Sequence, residues 1–290
     1  MAEGALVEVG DTSLFVVQRG AAAGLPVIVL HGGPGLDHHE FADYLDPLTA
    51  GGSYRLVLVD QRAQGRSARD SDPATWSLGR MTADVTGLAA SLGLGAYAVL
   101  GHSFRAFVAL QHAVDFPHAA SATIVSAGVA SARWLAGIET QLAAFEPITL
   151  RDQVAASWAR EPTVETEADL ATLMRDQMPF HFRDPLDERI DEFADRTAGG
   201  RGAPAVLRHF ASDDYGAIEV EDQLDQVDQP VLVLCGRHDR TCPAAAGIDM
   251  ASRIRGAELV VFEESAHMLY VEEPELYCAA VRGFLDALDA

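Results

Sequence analysis

The sequence predicts an α/β fold, a mostly parallel doubly wound sheet with an inserted helical cap, and three observations lead there. Short apolar runs recur along the chain and stop at Gly or polar turns, as buried strands do. Stretches with helical periodicity separate them. Between residues 132 and 225 the alternation ceases, and a segment rich in Glu, Asp, Arg and Ala shows helical patterning only. Strands buried on both faces and alternating with helices call for a parallel sheet covered on each side.

Taken in order, two β-rich segments open the chain, Leu6 to Val9 and Leu14 to Arg19, and the apolar run Pro26 to Leu30 ends at a glycine-rich turn. A helical stretch from Glu40 to Leu48 leads to a second buried run, Arg55 to Val59. Helical periodicity over Leu78 to Leu92 precedes a third run, Tyr97 to Leu100, and Phe104 to Val114 is an apolar helix pattern. Ala122 to Ser126, Val231 to Cys235 and Glu258 to Phe262 read as further strands, and a last helix runs from about Pro274 to Leu288. The predicted division is a core domain of residues 1–131 and 226–290 with a cap of residues 132–225. No internal repeat or low-complexity linker marks the cap as an independent module.

Composition narrows the function. Apolar residues make up 49% and charged residues 22% of 290 residues, which fits a globular chain with a large core. The formal net charge is −22, and all 21 basic residues are arginine. Phosphate binding needs a basic face, so a nucleic-acid partner is not expected. No stretch approaches about 18 uninterrupted apolar residues, and MAEGALVEVG has neither a positive start nor a long apolar run. A cytoplasmic protein without membrane contact is expected. Cys235, Cys242 and Cys278 show no metal-ligand spacing, and neither metal nor cofactor is called for.

Four local signals carry chemistry. In Gly101-His102-Ser103-Phe104-Arg105 a serine stands between a buried strand and an apolar helix. That is the context of a nucleophile elbow, although a serine there is also an ordinary helix cap. His31-Gly32-Gly33-Pro34-Gly35 follows the Pro26 to Leu30 strand, where glycines let backbone amides approach a ligand. An amide of this loop, with that of Phe104, is a candidate oxyanion hole. Asp239 follows the Val231 to Cys235 strand and His267 follows the Glu258 to Phe262 strand. The carboxyl edge of an open α/β sheet is where sites assemble, and the chain order Ser, Asp, His is the one expected for a triad on such a sheet.

These residues resemble the α/β-hydrolase family, and within it the proline iminopeptidase-like branch. There a His-Gly-Gly-Pro-Gly loop is followed by an Asp-Gln-Arg-Gly-x-Gly-Arg-Ser turn, which here reads Asp60-Gln61-Arg62-Ala63-Gln64-Gly65-Arg66-Ser67. The likeness covers Leu25 to Ala130 and Pro230 to the C-terminus. It implies an α/β-hydrolase fold, a catalytic triad of Ser103, Asp239 and His267, and oxyanion amides from Gly33 and Phe104. It also implies a serine hydrolase working through an acyl-enzyme on a small molecule or short peptide, of proline iminopeptidase type. A small-molecule esterase or lactonase is the alternative, because one fold hosts many chemistries.

Two positions depart from the pattern. Ala63 replaces a usual glycine, and Arg105 stands two residues after the serine where the elbow normally has glycine. A side chain there risks overpacking of about 1 to 3 kcal/mol. Arg105 is expected to extend outward toward an acidic group or to cross the site mouth, and it leaves a third reading open, a non-hydrolytic or impaired relative. Proline iminopeptidases hold the substrate's amino terminus on cap carboxylates. Glu139, Glu161, Glu165, Glu188 and Glu192 are all candidates, with no spacing that selects among them. Trp134, Phe145, Trp158, Phe180 and Phe182 could line an acyl pocket, but packing of cap on core is the stronger expectation.

Overall fold

The computed structural model describes residues 4–288, so residues 1–3 and 289–290 of the predicted core lie outside the described residues. Strands β1 (Ala5–Val9), β2 (Thr12–Gly20), β3 (Leu25–Leu30) and β4 (Tyr54–Asp60) are followed by helix α1 (Leu78–Ser91). Then come β5 (Ala98–His102), α2 (Phe104–Asp115) and β6 (Ala122–Ser126). Helices α3 (Ile138–Ala143), α4 (Ile148–Arg160), α5 (Glu167–His181), α6 (Arg189–Arg196) and α7 (Pro204–Ala211) come next. The chain closes with β7 (Val231–Gly236), α8 (Ala244–Arg253), β8 (Glu258–Phe262), α9 (Leu269–Glu272) and α10 (Pro274–Ala287).

The strands form one eight-stranded sheet in the order β1-β2-β4-β3-β5-β6-β7-β8. From β4 to β8 all neighbours are parallel, whereas β2 runs antiparallel to both β1 and β4. The residues of β5, β6 and β7 are all buried, which is why their sequences are continuous apolar runs. Successive side chains point to opposite faces. Ile28, Leu30, Val57 and Val59 therefore pack under α1 and α2. Val27, Val29, Leu56 and Leu58 face the opposite layer with Tyr277, Val281 and Phe284 of α10.

The expected helix over Glu40 to Leu48 is absent. Two 3₁₀ turns, His38–Phe41 and Asp46–Thr49, stand in its place. Ala42 between them has φ 41°, and Pro47, which lacks an N–H to donate, opens the second turn. Between residues 127 and 230 the described chain forms helices and 3₁₀ turns, with a single isolated bridge from Ser131 to Glu219. No helix among the described residues is long and apolar enough to cross a membrane.

Candidate active site

Parallel strands deliver their C-terminal ends to one edge of the sheet, and four loops meet there. They follow β3, β5, β7 and β8, and carry Gly33, Ser103, Asp239 and His267. Ser103 has φ 57° and ψ −128°, a conformation unfavourable for a side-chain-bearing residue. Its N–H donates to the Ser126 carbonyl (2.9 Å), tying the turn to β6. The turn is so tight that a Cβ at residue 101 would fall 2.1 Å from the Arg105 carbonyl oxygen, so Gly101 is required.

His267 Nε2 lies 2.8 Å from Ser103 Oγ, and its Nδ1 lies 2.7 Å from Asp239 Oδ2. The second Asp239 oxygen accepts from Thr241 N–H (2.8 Å), Thr241 Oγ1 (2.8 Å) and Cys242 N–H (2.9 Å). Burial opposes a charge on Asp239, but His267 and these donors outweigh it and hold the carboxyl below its usual range. For His267, burial disfavours the imidazolium, yet Asp239, helped by Glu40 and Glu272, raises the ring above its ordinary value. The carboxylate fixes the tautomer: Nδ1 carries the proton toward Asp239, leaving the Nε2 lone pair for the serine hydroxyl. Helix α5 braces this arrangement, since the His267 N–H donates to the carbonyl of His181, its last residue (2.9 Å). Arg240 donates to the carbonyls of Phe182 (2.6 Å) and Phe180 (3.1 Å) at the same helix end.

Gly33 has φ 102° and lines the cavity above Ser103 together with Phe104. Phe104 opens α2, so its N–H has no carbonyl one turn earlier to bond. The loop after β3 is held from below by the Asp60–Ser67 turn. Gln64 Oε1 accepts the Gly35 N–H (2.7 Å), and Asp60 accepts from the His38 backbone (2.9 Å) and ring (2.6 Å) and from the Arg66 N–H (2.8 Å). A Cβ on residue 65 would lie 2.2 Å from the Asp60 carboxylate, so that glycine is obligatory, whereas Ala63 bears its φ of 63° without one.

The cavity has a mostly apolar wall that includes Leu36, Phe107, Ile138, Trp158, Met178 and Phe193. Of the aromatic cap residues singled out above, Trp158 alone lines it. Phe145 and Phe180 pack with Trp158 behind the wall, Phe182 joins the core cluster that includes Met268, and Trp134 stacks on Arg133. Of the five candidate cap carboxylates, Glu161 alone lines it. Glu161 is 5% exposed, accepts from Gln177 Nε2 (2.6 Å) and from the Tyr215 hydroxyl, and burial raises its carboxyl. Both donors line the cavity, but they lie 16 and 54 residues away, a separation that no local spacing reveals.

Arg105 takes neither expected position. Its side chain is fully buried, with Nη1 3.3 Å from Met81 Sδ of α1 and Cζ 4.4 Å from the Phe104 ring centroid. Among the described residues Nε and Nη2 have no hydrogen-bond partner. The side chain instead turns inward, where the sulfur of Met81 on α1 and the ring of Phe104 receive it. Burial lowers its pKa to about 9, and the guanidinium in turn helps burial push His31 down to about 4.

Two groups of potential metal ligands occur among the described residues, Asp37-His38-His39 and Asp239-Cys242-His267. Both are committed internally. Asp37 accepts from the His39 ring (3.1 Å) and the Arg201 N–H (2.7 Å), His38 is bonded to Asp60, and Asp239 to His267.

Residues 26–274 match the family model described as alpha/beta hydrolase fold. The proline iminopeptidase of Levilactobacillus brevis is 31% identical over 273 residues, covering 91% of this chain and 89% of that protein. Among solved structures, an alpha/beta fold family hydrolase from Bacillus anthracis superposes with a TM-score of 0.80 at 21% identity, covering 97% of this chain and 99% of that one. A proline iminopeptidase-related protein from Thermus thermophilus gives 0.74 at 28% identity, covering 99% and 98%.

Proposed function

The chain belongs to the α/β-hydrolase family, in its proline iminopeptidase-like branch, and from that membership and the geometry above we propose a serine hydrolase that removes an N-terminal proline or small residue from short peptides. One observation carries the reading. The unbroken path Ser103 Oγ, His267 Nε2, His267 Nδ1, Asp239 Oδ2 ends under an apolar cavity that holds a single buried cap carboxylate.

In this reading Ser103 Oγ attacks the substrate carbonyl as its proton passes to His267 Nε2. The oxyanion accepts hydrogen bonds from the Gly33 and Phe104 amides, and Asp239, still ionised, steadies the imidazolium. His267 then gives its proton to the departing amine, leaving an acyl-enzyme. A water, deprotonated by His267, attacks the acyl carbon, and collapse returns the proton to Ser103 Oγ and frees the acid. Glu161 receives the substrate ammonium. Buried and drawn toward its neutral form, it regains a stable charge when a cation binds beside it, which rewards a free amine over a blocked one.

The test compares prolyl and alanyl p-nitroanilides, free and N-acetylated, with short-chain p-nitrophenyl esters. Selective cleavage of the free amides supports the aminopeptidase. Equal cleavage of free and blocked amides, or of esters alone, replaces it with the esterase or lactonase alternative.

A further inference from the structure

Glu40 lies in the 3₁₀ turn after the glycine loop and is 8% exposed, yet the mechanism above gives it no part. Its carboxylate accepts the Gly32 N–H. A Cβ on residue 32 would lie 2.6 Å from Glu40 Oε1, so Gly32 has to be glycine for the carboxylate to sit there. Glu40 also lines the cavity shared by Gly33, Ser103 and His267. It is thus bonded to the residue next to one proposed oxyanion donor and faces the space that holds the proposed base.

We infer that Glu40 is a positioning residue for acyl transfer, which clamps Gly32 so that the Gly33 amide faces the developing oxyanion and whose negative charge supports the His267 imidazolium. This rests on the serine-hydrolase reading above. A glycine loop is free to rotate its peptide planes, and an oxyanion donor turned away contributes nothing. A carboxylate accepting the preceding N–H restricts that rotation. Burial raises the Glu40 carboxyl to about 7 against the pull of the Gly32 N–H, so its charge changes near neutrality. The charges acting on it are those of His267, Arg105 and Asp37. Tyr270 donates to its backbone carbonyl (3.4 Å). Around His267 the other charged or titratable neighbours are Asp239, Glu272, His102 and His181.

Glu40→Gln keeps an oxygen able to accept the Gly32 N–H and removes the charge, whereas Glu40→Ala removes both. The readout is the second-order rate of Ser103 phosphonylation by a fluorophosphonate between about pH 5 and 9, which needs the oxyanion hole and base but no particular substrate. At about pH 8 the expected rates are about 10- to 100-fold below the parent for Glu40→Ala and within about fivefold for Glu40→Gln. The acid limb of the Glu40→Gln profile should move to lower pH, because His267 has lost a neighbouring negative charge. That shift tests the inference even if Glu40→Ala fails to fold. Glu40→Ala reacting at the parental rate, or a Glu40→Gln profile that superposes on the parent, overturns it. A parental chain that is not labelled at all removes the serine-hydrolase reading and this inference together.

Discussion

Nη1 of Arg105 rests 3.3 Å from the sulfur of Met81, while Nε and Nη2 of the same guanidinium are buried without a hydrogen-bond partner among the described residues. A buried charge with no carboxylate in hydrogen-bonding contact is destabilising even with Glu40 acting on it at longer range, and an apolar side chain of similar length relieves it. Arg105→Met should raise the unfolding free energy by about 1 to 3 kcal/mol in urea titrations. Arg105→Gly, which leaves a void beside Met81, should gain less. The folded-state pKa is depressed to about 9 from 12.5, so between those values the unfolded chain binds the additional proton. The parent's deficit relative to Arg105→Met is therefore full below about pH 9 and shrinks as pH rises above it. A deficit independent of pH, or a less stable Arg105→Met, would show that the arginine is not under electrostatic stress.

The backbone of Ser103 is strained where the proposed nucleophile sits, with φ 57° and ψ −128°. Ser103→Gly should stabilise the fold by about 1 kcal/mol while abolishing activity, because glycine alone adopts this region freely. Ser103→Ala keeps the strain and should leave stability nearly unchanged. Equal stabilisation by both variants would mean that the hydroxyl, not the backbone, is the source.

Much of this architecture can be read from the chain because the central strands are continuous apolar runs, and because each loop of the candidate site begins where an apolar run ends. Ser103 and Asp239 follow the buried β5 and β7, and His267 follows β8, an edge strand that is mostly exposed or half-buried but still apolar in sequence. The turns at His38–Phe41 and Asp46–Thr49 carry apolar residues at helical spacing, which predicts one helix, while Pro47 and the positive φ of Ala42 break it. Helix α8 is not among the predicted elements, although Ala244, Ala246, Gly247 and Met250 are buried along one side of it. Glu161 cannot be told from the other cap carboxylates by sequence because its partners, Gln177 and Tyr215, arrive from other elements. Glu40 leaves no signal either, since its bonded partner is a backbone N–H.

Glu161 accepts from Gln177 and Tyr215 and lines the cavity over Ser103. Glu161→Gln should raise KM for free prolyl amides about 10- to 100-fold, with a smaller change in kcat, and leave ester KM nearly unaltered. Equal effects on amides and esters would make Glu161 a structural member of the cap.

Burial disfavours the His267 imidazolium, but Asp239, with help from Glu40 and Glu272, outweighs it and raises the ring above its ordinary value of 6.5. Catalysis requires the neutral ring, so kcat/KM should fall as pH drops through a midpoint above 6.5. Asp239→Asn removes the charge that raises His267 and should move that limb to lower pH. It should also cut kcat by about 10⁴, through the wrong tautomer. A midpoint unmoved by Asp239→Asn, or an effect confined to KM, would assign the titration to another group.

The most direct measurement is the site of covalent capture. The intact parent is incubated with a fluorophosphonate, digested and mapped by mass spectrometry, beside Ser103→Ala under the same conditions. One adduct on Ser103, absent from the variant and accompanied by a loss of about 10⁴- to 10⁶-fold in kcat for the variant, is the predicted result. An adduct on another residue, or turnover by Ser103→Ala comparable to the parent, would contradict the assignment of Ser103 as the nucleophile.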